Sequence, residues 1–408
     1  MFLEKCRFCF SSDLEKYFDF GPQPLANAYL TGEQLNCHEP RYPLDVYYCH
    51  ECGVSQIGCT VSPEDMFSEY YYCAGAARTT YRYGIALAEK LKDELNLNAY
   101  SFIVEVGSND GAMMKCFGKC GLTQMLGVDP AVNLAKKARE EGLNIFNAFF
   151  NEESADAILR EYGQADLILC RNVFAHVPGI HSFVRGLKKL LKETGAVIVE
   201  SPYLPDMISR NQFDTIYHEH VFYLSLKPMQ KLFKAYAMEI TDVERNEMHG
   251  GSMVYYIRHS QSGIPSDKIN DCLAGEEKYH VNMAEYHRFS HHALQIKSRL
   301  NDILVSLNNR GCRIAAYGAA AKGNILLNFC GIDNKIVDFV VDKNPLKQGL
   351  YTPGTHIPIF PTKKLLEEQP DYTLLLSWNY RQEIMEQEVK YREKGGKFII
   401  PVPRVAIV

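Results

Sequence analysis

The chain reads as an α/β protein in three units: a small cysteine-rich N-terminal module, a central Rossmann-like domain and a C-terminal Rossmann-like α/β domain. Three observations predict this. Two Cys-x-x-Cys pairs, Cys6/Cys9 and Cys49/Cys52, bracket a short loop-rich segment. Apolar strand-like runs then alternate with amphipathic helical runs from about 101 to 202, which is the rhythm of a parallel sheet covered by helices on both faces. A second run of the same alternation begins near 313, behind a polar helical stretch. A length of 408 residues suits two or three domains.

The elements follow in order. Residues 1 to about 70 read as loops rich in aromatics, and 81–95 as a helix. SFIVEVG (101–107) is a strand that runs into a glycine-rich turn. MLGVD (125–129) is the next strand, 133–142 a helix, and 144–150 and 165–172 strands. The segment 181–195 has apolar residues at helical spacing and ends in Gly195, so it reads as a helix; 196–202 is a strand. VYYIRH (254–259) is a strand, and 266–309 is helical and polar. Strands at 313–318, 336–342, 372–378 and 397–403 complete the C-terminal unit. The expected boundaries are 1–72, 73–260 and 261–408, with no internal repeat at a solenoid period.

The balance of charge narrows the function. Forty-four basic residues against 49 acidic ones leave a net charge of -5, which is not the basic excess of a protein that lives on nucleic acid. No run of 18 apolar residues is present, so no membrane span is expected. The start MFLEKCRFCF lacks the basic-then-apolar plan of a secretion signal. The protein is expected in the cytoplasm, as a monomer. An odd count of 13 cysteines suits metal ligands and buried thiols better than disulfides.

The cysteine pairs are the most specific motif. Two thiolate knuckles make a tetrahedral zinc site, and four sulfurs leave no place for water, so the metal is structural. Next comes Glu105-Val106-Gly107-Ser108-Asn109-Asp110-Gly111, between a strand and a helix. Gly107 and Gly111 let a ligand approach the backbone. Their spacing is not Gly-x-Gly-x-x-Gly, which argues against a dinucleotide diphosphate and for a ligand without phosphates. Asp129 ends the following strand, where a carboxylate can accept both ribose hydroxyls. Together these two signals resemble the S-adenosylmethionine site of the class I methyltransferases.

Further motifs carry candidate chemistry. Asn172 and His176 leave a strand at the carboxyl edge of the sheet, where ligands bind in open α/β folds. IYHEHVFYLS (216–225) packs Tyr217, His218, Glu219 and His220 between apolar flanks. Tyr, His and Glu are proton-transfer groups. His249 precedes paired glycines in MHGGSM. Tyr317, Gly318, Ala319, Lys322, Gly323 and Asn324 lie in YGAAAKGN, a strand-to-helix turn that can hold a diphosphate without being a Walker loop. His280, His287, His291 and His292 read as a solvated helix face.

These markers together resemble the sugar C-methyltransferases of deoxysugar pathways over nearly the whole chain. The resemblance is carried by the two knuckles, EVGSNDG, GVDPA with Pro130, the Y-x-E-H run, HGGS and YGAAAKGN. It implies an S-adenosylmethionine-dependent enzyme that methylates a nucleotide-linked 4-keto-6-deoxy sugar, often dTDP-linked and commonly at C3. By resemblance His220 matches the base, and Tyr217, Glu219 and His176 match its neighbours. A tyrosine before the central domain also belongs to the family's site; Tyr71 is taken for it from the run Tyr70–Tyr72. The competing reading is a zinc-ribbon RNA methyltransferase, which would carry a basic face and stacking aromatics.

Overall fold

The structure is a computed structural model that describes residues 1–68, 70, 78–281 and 283–408. The first unit is more regular than its sequence suggests. Alternation of buried and exposed residues builds β1 (Leu14–Gln23) and β2 (Tyr42–Cys49), which pair antiparallel, and β3 (Ser55–Ile57) extends them. Aromatic residues at alternate positions, such as Phe18 and Phe20, supply the buried face.

A helix over Arg78–Glu94 leads into the central sheet. Its strands are β4 (Ile103–Val106), β5 (Met125–Val128), β6 (Ile145–Phe146), β7 (Ala165–Arg171) and β8 (Leu191–Pro202). The helix expected over 181–195 stops at Leu190, and β8 starts at once. Gly195 is therefore a strand residue: a Cβ there would lie 2.9 Å from the Asp166 carbonyl on the neighbouring strand.

After β9 (Phe222–Tyr223) come β10 (Met238–Asn246) and β11 (Ser252–His259). The central sheet has seven strands in the order β10-β11-β8-β7-β4-β5-β6. Six run in one direction, five of them as parallel neighbours, and β11 runs against them between β8 and β10. The all-parallel expectation fails at this edge because a short turn through the HGGS loop, and not a crossover helix, joins β10 to β11.

β9 does not join the central sheet. It pairs with β3, Ser55 opposite Tyr223 and Gln56 opposite Phe222, and so closes a four-stranded N-terminal sheet. The chain continues through helices Lys268–Glu276, Lys278–Val281 and Ala284–Asn309. His280 is buried, not solvated: it contacts the Tyr48 hydroxyl at 3.2 Å and Glu276 at 3.4 Å.

The C-terminal sheet contains β12 (Ile314–Tyr317), β13 (Val340–Val341), β14 (Ile359–Phe360), β15 (Tyr372–Leu375), β16 (Lys397–Ile400) and β17 (Ala406–Ile407), in the order β14-β13-β12-β15-β16-β17. All but β17 run parallel. One apolar core joins the N-terminal sheet, the helix Ala284–Asn309 and this C-terminal sheet. Another joins the cysteine knuckles to the central sheet. Among the described residues, no helix is long and apolar enough to cross a membrane.

Candidate active site

The four knuckle sulfurs converge. Cys6 Sγ lies 3.6 Å from Cys52 Sγ, and Cys9 Sγ lies 3.5 Å from Cys49 Sγ. All four lie within 4.8 Å of one another. A tetrahedral zinc with bonds of ~2.3 Å separates its sulfurs by roughly 3.8 Å, so the donor set fits the metal in number, type and size. Of the neighbouring histidines, His50 is engaged with Glu15 at 3.0 Å and His38 is exposed.

A cavity of about 720 Å³ brings together residues from the central and C-terminal sheets and from loops of all three units. Glu105, Gly107, Ser108, Asn109, Asp129, Pro130 and Asn172 line one part of it. The Asp129 carboxylate accepts the Asn109 amide at 2.7 Å and the Ala131 amide at 2.9 Å. Those bonds fix the loop and leave further lone pairs for a ligand. Burial raises the Asp129 pKa despite both amides. Burial pushes Glu105 up to about 8 against the pull of Arg171. Glu105 Oε2 and Ser108 Oγ are buried without a hydrogen-bond partner. Unpaired buried polar atoms beside a cavity call for polar groups on a ligand; Arg171, the cation beside this turn, is already paired with Glu200 at 2.6 Å, so the site fits the phosphate-free S-adenosylmethionine. Gly111 does not reach the cavity. It is left-handed (φ +71°) and starts the helix Ala112–Lys119, where a Cβ would strike Leu143.

Asp129→Ala is expected to weaken S-adenosylhomocysteine binding by about 1–3 kcal/mol, the cost of removing a charged hydrogen-bond partner. Calorimetry with unchanged affinity would remove Asp129 from the site.

Tyr217, His220, His176 and His249 line the same cavity. Tyr217 and His220 are held by the turn between a short 3-10 segment (Phe213–Thr215) and β9. His220 Nδ1 is 2.8 Å from the Thr215 carbonyl, which can only accept, so Nδ1 carries the proton. Nε2 is then the basic nitrogen, and the Tyr217 hydroxyl donates to it at 2.8 Å. His176 stands edge-on to His220, ring centres 4.8 Å apart. Burial, with His176 beside it, holds the His220 pKa well below its ordinary value, and burial lowers His176 to about 4. The imidazoles are therefore neutral at physiological pH.

Glu219 does not line the cavity; it backs the cluster. Its carboxylate accepts the Tyr70 hydroxyl at 2.6 Å and the Asn27 amide at 2.6 Å. Burial raises its pKa, and both donors oppose the rise. Tyr70 lines the cavity and is the tyrosine of the Tyr70–Tyr72 run that the structure describes; Tyr71 lies outside the described residues.

The third part of the cavity belongs to the C-terminal turn. Tyr317, Gly318 and Lys322 line it; Ala319, Gly323 and Asn324 do not. Gly323 faces Leu376, 2.6 Å from where a Cβ would stand, and serves helix-on-sheet packing. Asn324 donates to the Ala26 carbonyl at 2.7 Å and ties this helix to the N-terminal unit. The Ala319 carbonyl accepts Tyr29 at 2.5 Å and Lys347 at 2.6 Å. Lys322 donates to the His249 carbonyl at 2.9 Å and lies over the Trp378 ring. Burial lowers its pKa against the pull of Asp214.

Three candidate residues from different loops, Asn109, Asn172 and His249, hold positive φ (+53°, +52°, +56°). Such conformations cost energy in non-glycine residues and cluster where a site needs them. Sequence reasoning missed Asn27, Asp214, Asp342 and Lys347. Asn27 and Asp214 sit in segments with no spacing signal. Asp342 and Lys347 follow β13, where FVVD repeats the strand-then-aspartate pattern of LGVD.

Three family models match the chain: a putative zinc binding domain over residues 6–67, a methyltransferase domain over 81–243 and a C-methyltransferase C-terminal domain over 247–403. C-methyltransferase NovU of Streptomyces niveus is 33% identical over 408 residues, covering 100% of this chain and 97% of that protein. Among solved structures, a SAM-dependent methyltransferase from Anabaena variabilis is 17% identical with a TM-score of 0.35, over 49% of this chain and 100% of that one. An S-adenosylmethionine-dependent methyltransferase from Clostridium acetobutylicum is 12% identical with a TM-score of 0.34, over 44% of this chain and 92% of that one.

Proposed function

The chain belongs to the C-methyltransferase family and uses S-adenosylmethionine, and from that premise we propose that it methylates a nucleotide-linked 4-keto-6-deoxy sugar at C3, the carbon next to the ketone. The observation that carries this reading is the shared cavity. It joins the Glu105–Asp129 loops, the Tyr217/His220 pair and the cationic turn at Lys322 in one space. A substrate with a keto sugar at one end and a diphosphate at the other suits the last two parts.

A ketone acidifies the neighbouring C–H, and a positioned base removes that proton to leave an enolate. His220 is that base: it lines the cavity, Thr215 fixes its ring, and its basic Nε2 receives the Tyr217 hydroxyl, through which the proton can pass. Tyr217 is the second proton-transfer group at the same point. Tyr70, oriented by Glu219, and His176 are the neighbours that hold the sugar ring against the base. Asn172 and His249 bound the space between the two ligands. S-adenosylmethionine, when bound, supplies the electrophilic methyl carbon. Lys322 holds the diphosphate at the start of the helix Ala321–Cys330, where backbone amides also favour an anion.

The test is incubation with S-adenosylmethionine labelled in its methyl group and a panel of 4-keto nucleotide sugars. Label on a sugar carbon is expected. No transfer to any member of the panel would overturn the substrate assignment.

A pH profile follows from the same geometry. The base acts in its neutral form, and its pKa is lowered, so the acid limb of kcat/KM is expected below pH ~6.5, the ordinary histidine value. Between pH 8 and 6.5 no loss attributable to His220 should appear. An acid limb at or above pH ~6.5 would contradict a desolvated imidazole base.

A further inference from the structure

The two α/β domains repeat one device. In the central domain the amide of Gly107, at the end of β4, donates to the Val128 carbonyl at 2.8 Å; in the C-terminal domain the amide of Gly318, at the end of β12, donates to the Val341 carbonyl at 2.8 Å. The residue after each of those valines is an aspartate, Asp129 and Asp342. Each aspartate accepts an amide from the glycine turn: Asn109 to Asp129 Oδ2 at 2.7 Å, Ala319 to Asp342 Oδ2 at 2.7 Å. Each also accepts the amide two residues on: Ala131 to Asp129 Oδ1 at 2.9 Å, Asn344 to Asp342 Oδ1 at 2.7 Å. Each donates its own amide to a phenylalanine carbonyl on the third strand, Phe146 at 3.2 Å and Phe360 at 2.9 Å. Both aspartates line the one cavity.

The two copies differ in charge at the turn. Glu105 on β4 has Ala316 as its counterpart on β12, each two residues before the glycine. The first turn of the following helix carries Lys322 in the C-terminal copy and Met113 in the central one. A second cation, Lys347, is buried beside Asp342: burial works against its charge, but Tyr29 and Asp342 outweigh that and keep its pKa above the ordinary value. The central copy therefore suits a nucleoside without phosphate, and the C-terminal copy a nucleoside that carries phosphate.

An acidic residue at the end of the second strand of such a domain accepts ribose hydroxyls. We infer that Asp342 is the ribose-recognising residue for the nucleoside of the sugar substrate, as Asp129 is for the methyl donor. This rests on the nucleotide-sugar reading and deepens it. The nucleoside then lies over Asp342, the diphosphate between Lys347 and Lys322, and the sugar reaches His220.

The test couples a protein change to a ligand change. Calorimetry on the full chain first finds the tightest of dTDP, UDP and GDP. Asp342→Asn is expected to weaken that nucleotide about tenfold or more, the size of a lost hydrogen bond to a charged group. S-adenosylhomocysteine affinity should change by less than about twofold, which also reports that the variant is folded; Asp129→Asn should show the converse. Removing the ribose 3′-hydroxyl should weaken wild-type binding about tenfold but Asp342→Asn binding by no more than about twofold. An unchanged nucleotide affinity in the variant, or an undiminished 3′-hydroxyl penalty there, overturns the inference while the substrate reading stands. Should the variant fail to bind S-adenosylhomocysteine, the wild-type protein alone decides: no penalty for the missing hydroxyl overturns it. If none of the three nucleotides binds the wild type, the nucleotide-sugar reading falls and this inference with it.

Discussion

Replacing His220 with Asn is expected to lower turnover by about 10²–10⁴, the contribution of a positioned base. Affinity for S-adenosylhomocysteine and for nucleotide should barely change, because a base acts on the transition state more than on the ground state. An asparagine amide can still donate to the Thr215 carbonyl that now takes the Nδ1 proton, so the turn keeps its anchor. What it lacks is the basic nitrogen that receives Tyr217 at 2.8 Å. If wild-type enzyme exchanges the acidic proton of the keto sugar with deuterated water in the absence of methyl donor, the variant should not. Single replacements at Tyr217 and His176 complete the measurement. Near wild-type kcat in the His220 variant, with a collapse in either of the others, would move the base to that residue.

The ingredients of this cluster were legible because they are local. Tyr217, Glu219 and His220 fall within four positions, and apolar flanks mark them as buried. The glycine turn at Gly107 and the aspartate at Asp129 were legible for the same reason: strand, turn and helix are contiguous in sequence. The partners of those residues were not. Glu219 is bonded by Asn27, 192 positions away in the chain. Asp214 accepts the indole of Trp378 at 2.6 Å, and burial raises its pKa to about 6. No periodicity encodes a meeting of loops from different sheets. The strands β1 and β2 were hidden for another reason. Their alternation mixes Tyr, Phe and Pro with charged residues and carries a register shift between Asp19 and Pro22, so it does not read as a clean period of two. The expected helix over 181–195 failed at its end because Gly195 resembles a helix stop, whereas pairing with β7 sets the local conformation.

Removing the zinc is expected to abolish turnover altogether, although no part of the metal touches a reactant. Cys49 ends β2, and Cys52 lies just before β3, so the second knuckle is the turn that pairs those two strands. β3 in turn holds β9, which begins two residues after His220. The Ile57 amide donates to the Val221 carbonyl at 3.0 Å, and His218 reaches the Pro43 carbonyl at 3.2 Å. Gln56 on β3 donates to Cys6 Sγ at 3.2 Å, which links a metal ligand to the strand that holds the loop carrying His220. The same unit delivers Asn27 to Glu219. A structural zinc in a small module contributes about 10–16 kcal/mol of folding free energy. Chelation should therefore release about one zinc per chain, raise hydrogen exchange through residues 14–57 and 216–224, and end turnover until metal is restored. Cobalt or cadmium in the same four sulfurs should restore it to within a few fold, since the metal's work here is to hold strands. Metal-free protein that turns over at the wild-type rate would break this link, and so would a rate that follows the Lewis acidity of the metal supplied.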